Sequence, residues 1–432
     1  MASVAPKAGP TDRHARFDTL PSRIDRSVNR WSSYVADLVA GLGALRTEGR
    51  GPILAAVAVG WFLSIGLRLV YPALLPELRR AYDLDLTTAG LLLSVLWVAY
   101  AVGQLPGGVL ADRIGEGRIL WISTAISTGT IALVATAGSV SVLFGATALF
   151  GLGTALYGVA RYTALSGIYP ENDGAAVGVT LAAGEVGNAI LPPFAGLLAA
   201  TFAWQLGFGF AVPLFVLVSV SLWIVLPART SAPTSAVDSL SFETARYVLS
   251  SVGRPTIVLV TAVQVLGFSV WQAYTGFYPT YLIEVKGLSY PAATTLFGLF
   301  FALGIVVQPV SGAAYDRFGL PRTAAVVLGI AALGLAALPV VSTLPAVVLA
   351  TAFSSALLGL TVMTMPYLTA ALPDDMQGTG LGFLRTVYML IGAASPTVAG
   401  AIADRGFFDE VFFLLAGLVA VAIALSTLVP RG

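Results

Sequence analysis

Twelve stretches of about twenty mostly apolar residues follow one another along the chain. They lie near 52–75, 87–110, 117–137, 140–168, 175–200, 204–226, 256–283, 292–315, 322–341, 344–371, 378–402 and 408–429. A helix of about 20 apolar residues is what crosses the hydrocarbon core of a bilayer. The runs are continuous rather than alternating, which excludes the strands of a membrane barrel. Charge agrees: 10% of the 432 residues are Asp, Glu, Lys or Arg, whereas soluble domains carry about 25%. Too few charges remain to cover a water-soluble surface or to build a disordered or coiled-coil chain. The net charge of +1 offers no basic face to nucleic acid. Cysteine is absent, and the single histidine, His14, precedes the first apolar run. Thiol chemistry, iron–sulfur clusters and histidine metal sites therefore have no residues to stand on, and no metal or cofactor is expected.

The basic residues give an orientation. With the N-terminus in the cytoplasm, sixteen Arg and Lys fall on inside segments and four, Arg79, Arg80, Lys286 and Arg405, on outside ones. Both termini are therefore expected in the cytoplasm of a multi-pass plasma-membrane protein. Residues 1–51 form a polar, Arg-rich tail without a signal-peptide core. Within it Ile24, Val28, Trp31, Val35, Leu38, Leu42 and Leu45 recur at alternating spacings of four and three. This predicts an amphipathic helix near 22–46, lying on the inner leaflet or packed on the bundle. Six spans occupy 52–228, a polar linker 229–255, and six more spans 256–432.

The two halves are copies. Gly108-Val-Leu-Ala-Asp112-Arg113-Ile-Gly115 follows span two, and Gly312-Ala-Ala-Tyr-Asp316-Arg317-Phe-Gly319 follows span eight, 204 residues later. The same offset pairs Gln104 with Gln308, Gly178 with Gly382, Pro192 with Pro396 and Gly196 with Gly400. An offset that contains an even number of spans keeps the copies in one orientation. They are parallel repeats about an axis along the membrane normal.

Twelve spans, a 6+6 repeat and a G-x-x-x-D-R-x-G loop between spans two and three resemble the major facilitator superfamily, over about residues 52–430. Arg118 and Arg322 complete the two loops. The resemblance implies an all-α membrane fold of two six-helix bundles and secondary transport by alternating access. It implies a substrate site near mid-membrane and a chain that works as a monomer. A gating role for the loops has a physical basis. An Asp at the end of a span can accept hydrogen bonds from a neighbouring helix N-terminus, and an Arg can pair with acids or lipid phosphate. The alternative is capping of a tight turn, with the glycines allowing close packing.

Four ionisable residues fall well inside spans: Arg68, Arg161, Glu185 and Arg385. Each carries an insertion penalty of about 2.5–3.5 kcal/mol, so each should face a cavity or a partner. Arg68, with Tyr71 one turn on, is a candidate to bind an anion, or it snorkels to the outer headgroups. Arg161 and Glu185 lie at similar depth, and an ion pair between them is one expectation. The other is that Arg161 meets the substrate while Glu185 takes up a proton. Arg385 lines the cavity from the second half or braces the gate. Gln272 is the repeat partner of Arg68, and Tyr274 stands beside it; both are substrate-site candidates. Trp61, Trp97, Tyr100, Trp271, Tyr278, Tyr367 and Tyr388 complete the site or pack between helices. Gln104 and Gln308 are expected to bond helix to helix rather than to hold a ligand.

Three arginines against one glutamate favour a small anionic organic solute. Arginines in spans one and four resemble the anion:cation symporters of the superfamily, although that subgroup's usual span-four position holds Thr147 here. If transport is coupled to protons, Glu185 is the candidate site; the coupling ion, and import or export, stay open. A broad-specificity drug or metabolite exporter is the alternative within the superfamily, and a non-transporting membrane sensor or scaffold the alternative outside it. An enzyme is not expected, since no acid, His and metal cluster gathers at a membrane face.

Overall fold

A computed structural model describes residues 50–230, 252–373 and 377–429. The helix expected near 22–46 and most of the linker expected over 229–255 lie outside the described residues. Among the described residues, eleven helices are long and apolar enough to cross a membrane. The longest, Tyr290–Val340, has 51 residues and is two spans joined at Gly319, whose φ of 73° and ψ of 171° interrupt the helix. The twelve spans are α1 (Gly51–Tyr82), α2 (Leu86–Ile114), α3 (Glu116–Ala135), α4 (Val140–Ile168), α5 (Asp173–Thr201), α6 (Leu206–Val225), α7 (Pro255–Glu284), α8 and α9 on either side of Gly319, α10 (Leu344–Ala371), α11 (Thr379–Ala403) and α12 (Phe408–Thr427). No strand occurs among the described residues.

The chain is all-helical because a bilayer offers no partner for backbone N–H and C=O groups, and a helix satisfies them within one segment. Between apolar helices the hydrophobic effect gives no drive, so close contact through small residues decides which helices meet. Within the first half α1 packs on α5 and α2 on α4. Across the halves α2 packs on α11 and α5 on α8, the two crossings related by the 204-residue repeat. Gly90 and Gly400 allow the first of these. A Cβ on Gly90 would lie 2.3 Å from the Pro396 carbonyl, and one on Gly400 2.1 Å from that of Leu86.

One end of the molecule carries the two repeated loops and is termed the motif end; the other is the far end. The halves are tied together at the far end. Asp404, after α11, accepts from the backbone N–H of Leu86 at 2.8 Å and of Thr87 at 2.7 Å, and from the Thr87 hydroxyl. A carboxylate of one half thus caps the first turn of α2 in the other, where the helix dipole is positive. Arg79 pairs with Glu284, and the Tyr290 hydroxyl donates to the Ala73 carbonyl at 2.6 Å. At the motif end, bonds among the described residues include ones that stay within one half or run to the adjoining linker. Arg50 donates to the Ile168 carbonyl, Arg254 to that of Ala371, and Arg229 to that of Arg113.

Candidate functional site: three arginines on an aromatic platform

Arg68 stands near the middle of α1, 1% exposed. Its guanidinium carbon lies 3.8 Å from the Tyr100 ring centre, 5.2 Å from Trp97 and 5.6 Å from Trp61. Its Nε donates to the Ser64 carbonyl at 3.1 Å, and one Nη is buried with no hydrogen-bond partner. The central position removes the snorkelling expectation, because the guanidinium stays among aromatic rings instead of reaching a helix end.

Arg161, on α4, is also 1% exposed. Its guanidinium carbon lies 3.4 Å from the Trp61 ring centre and 4.1 Å from that of Tyr162. It donates to the Gly158 carbonyl at 2.8 Å and the Tyr162 hydroxyl at 2.7 Å, while its Nε has no partner. The expected ion pair with Glu185 is not formed. Glu185 instead accepts from Gln308 Nε2 at 3.1 Å and from Asn188 Nδ2 at 3.5 Å. The aromatic faces satisfy part of what a carboxylate would have supplied.

Arg385 enters from the second half, within interaction range of Tyr388, Tyr100 and Tyr162, and its Nε too is unpartnered. Tyr100 interacts with all three arginines. Trp97 meets Trp271 of α7 edge-on, with centroids 5.6 Å apart, and Phe268 stacks on Trp271 at 5.6 Å. Aromatic rings from both halves thus surround a cluster of three cations. None of the three forms an ion pair among the described residues, whose ion pairs are Arg79 with Glu284 and Arg80 with Glu77. Gln272, next to Trp271, is 1% exposed, and neither atom of its amide is hydrogen-bonded.

The other expected residues sit elsewhere. Tyr71 packs against Phe208 and Phe150 inside the first half, at 4.8 and 6.0 Å between centroids. Tyr274 stacks on Tyr278 at 4.7 Å and meets Phe300 and Phe412 inside the second half. Both rings belong to helix packing in this conformation. An apolar crevice of about 190 Å³, between α7, α11 and α12, contains no charged residue in its lining. Tyr162 and Phe268 were not singled out in the sequence. Tyr162 adjoins Arg161, which is the one signal that would have found it.

In the repeated loops Gly115 has φ 100° and Gly319 φ 73°, a region L side chains rarely adopt. These glycines make the turns into α3 and α9. Gly108 and Gly312 face Val159 on α4 and Val362 on α10 at close range. Asp112, Arg113, Arg118, Asp316, Arg317 and Arg322 are exposed. Neither aspartate accepts a bond from a neighbouring helix in this conformation, in which the halves are joined at the opposite end.

The sequence pattern of the Major Facilitator Superfamily matches residues 56–396 and 308–431. The chain belongs to this superfamily. Relatives include a hexuronate transporter of Bacillus subtilis, 25% identical over 377 residues, covering 80% of this chain and 86% of that one. A gentisate transporter of Corynebacterium glutamicum is 27% identical over 414 residues, 90% of each chain. Among solved structures, a bacterial homologue of the human lysosomal transporter Spinster superposes with a TM-score of 0.72 at 17% identity, covering 88% of this chain and 96% of that one. At that identity the likeness is one of fold. As a member of this superfamily the chain is a multi-pass membrane transporter.

Proposed function

We propose that the chain moves a small organic anion across the cell membrane by alternating access, with both termini cytoplasmic, as a monomer and without enzymatic activity. The reading rests on one observation above others. Three arginines with unpartnered buried donors meet between the halves, and no carboxylate neutralises them. Buried cations in low dielectric need a counter-charge, and a carboxylate or similar group on the solute supplies it. Arginine forks suit such groups bidentately. The Trp and Tyr platform favours an organic rather than an inorganic anion, and the relatives named for hexuronate and gentisate move organic acids.

In this scheme Arg68, Arg161 and Arg385 hold the anion, with Gln272 as a neutral donor beside them. Anion binding draws the halves together around the site, and the far end opens as the motif end closes. The exposed Asp112 and Arg113, with Asp316 and Arg317, then become partners for helix ends of the closing face. Glu185 takes up the coupling proton.

The test is uptake into proteoliposomes across a panel of organic acids, amines and neutral solutes, with and without a pH gradient. Saturable uptake of an acid that is lost in Arg68→Ala and Arg161→Ala supports the reading. Uptake restricted to neutral or cationic solutes and unaffected by Arg68→Ala replaces it with the broad-specificity exporter.

A further inference from the structure

Among the hydrogen bonds that cross between the halves within the spans, two are related by the repeat. Gln308 Nε2 on α8 donates to Glu185 Oε1 on α5 at 3.1 Å. Gln104 Nε2 on α2 points to Met389 Sδ on α11 at 3.2 Å. Gln308 is 204 residues after Gln104, and Met389 is 204 residues after Glu185. The same glutamine therefore reaches from the second span of each half to the fifth span of the other. Its acceptor differs. On one side it is a carboxylate; on the other it is a thioether, a weak acceptor that takes up no proton.

We infer that these are a pair of latches between the halves of which only one responds to protons. Glu185 and Gln308 form the responsive latch, and Gln104 and Met389 its inert counterpart. The inference rests on the proposed role of Glu185 as the proton site and adds what its protonation releases. A hydrogen bond to a carboxylate is roughly twice as strong as one between neutral groups. Protonating Glu185 weakens the hold of α5 on α8 and leaves α2 and α11 as they were. The two half-interfaces then separate unequally, which is a hinge movement and not a uniform spreading.

The surroundings suit a group that titrates by itself. α8 carries no ionisable residue between Tyr290 and Tyr315, and α5 none between Asp173 and its end other than Glu185. Of the other helices packed on α5, α1 brings Arg68 at this depth and α4 brings Arg161. Neither is paired with Glu185, because Tyr100 and Trp61 engage them. Glu185 is half-buried.

The chain has no cysteine, so labels can be introduced without background. Ser166 and Ala370 are exposed at the motif ends of α4 and α10 and are themselves repeat partners. Spin labels at Ser166→Cys and Ala370→Cys report the separation of the halves in nanodiscs at pH 8 and pH 5. With the native latch the distance distribution shifts between the two. In Gln308→Leu the shift is lost, and in Met389→Glu, which makes the second latch titratable, it grows. A native distribution that ignores pH, or a Gln308→Leu distribution that shifts as the native one does, overturns the latch. The proton role itself is tested separately by uptake. If Glu185→Gln keeps uptake driven by a pH gradient, the proposed coupling fails, whatever the distances do.

Discussion

The guanidinium carbon of Arg161 lies 3.4 Å from the centre of the Trp61 ring, and Arg68 approaches the same ring at 5.6 Å. One indole of α1 thereby holds two cations from two helices, each keeping a donor free. Cation–π contact is attractive but leaves the guanidinium edge available. A carboxylate in place of Trp61 would have consumed those donors. The arrangement keeps the arginines in place without neutralising them, which is what an anion site requires.

Removing this support should weaken substrate binding while leaving the charge in place. Cation–π pairs contribute about 0.5–2 kcal/mol, so Trp61→Leu should raise the Kd for the transported acid by roughly 2- to 30-fold. Trp61→Phe should lie between. Titration calorimetry on purified protein reads both.

Arg68→Lys keeps the charge and loses both the planar fork and its stacking on Tyr100. Hydrogen bonds to charged groups contribute about 1.5–3 kcal/mol. Uptake at low substrate should therefore fall by about ten- to a hundredfold, and raising substrate should restore part of it. A lysine variant with native KM would show that Arg68 does not touch the solute.

Asp404 caps α2 from the other half, and its loss should loosen the far end. A helix-capping interaction contributes about 1 kcal/mol, so Asp404→Ala should shift the conformational equilibrium about fivefold towards the form open at that end. A single cysteine at Ala73, buried under Tyr290, should react faster with a water-soluble maleimide in Asp404→Ala than in the parent.

Asp85 caps its own helix: its carboxylate accepts from the Thr88 N–H at 2.7 Å, and this hydrogen bond holds its pKa below the usual carboxylate value. A lowered folded pKa means stability that is present at neutral pH and lost as the solution is acidified past the ordinary Asp value and through the folded one. The melting temperature of the parent should exceed that of Asp85→Ala at pH 7, and the gap should close in acid. An equal gap at all pH values would exclude a role for the ionised cap.

The two loop glycines should differ. Both hold positive φ with extended ψ, a conformation reserved almost wholly for glycine, which costs an L residue about 1–3 kcal/mol. A Cβ on Gly115 would also lie 2.2 Å from the Ala228 carbonyl, whereas one on Gly319 meets nothing within 4 Å. Gly115→Ala should lower the melting temperature in detergent more than Gly319→Ala. Equal losses would mean that backbone strain alone sets the cost.

The twelve spans, their parallel repeat and the residues of the cation cluster could be read along the chain. Lipid demands continuous apolar helices, and an arginine inside one is conspicuous. Depth could be read as well, since each helical residue rises 1.5 Å; this is why Arg161 and Glu185 were both placed near mid-membrane. What the chain alone left open was azimuth: which way each side chain turns and which neighbouring helix it meets. Packing decided that Arg161 meets Trp61 and that Glu185 meets Gln308. It also decided that Tyr71 and Tyr274 fill their own halves and that Asp404 closes the far end. Small-residue crossings such as Gly90 with Pro396 set those rotations. They depend on the fit of two surfaces far apart in sequence, and no local pattern in either helix records it.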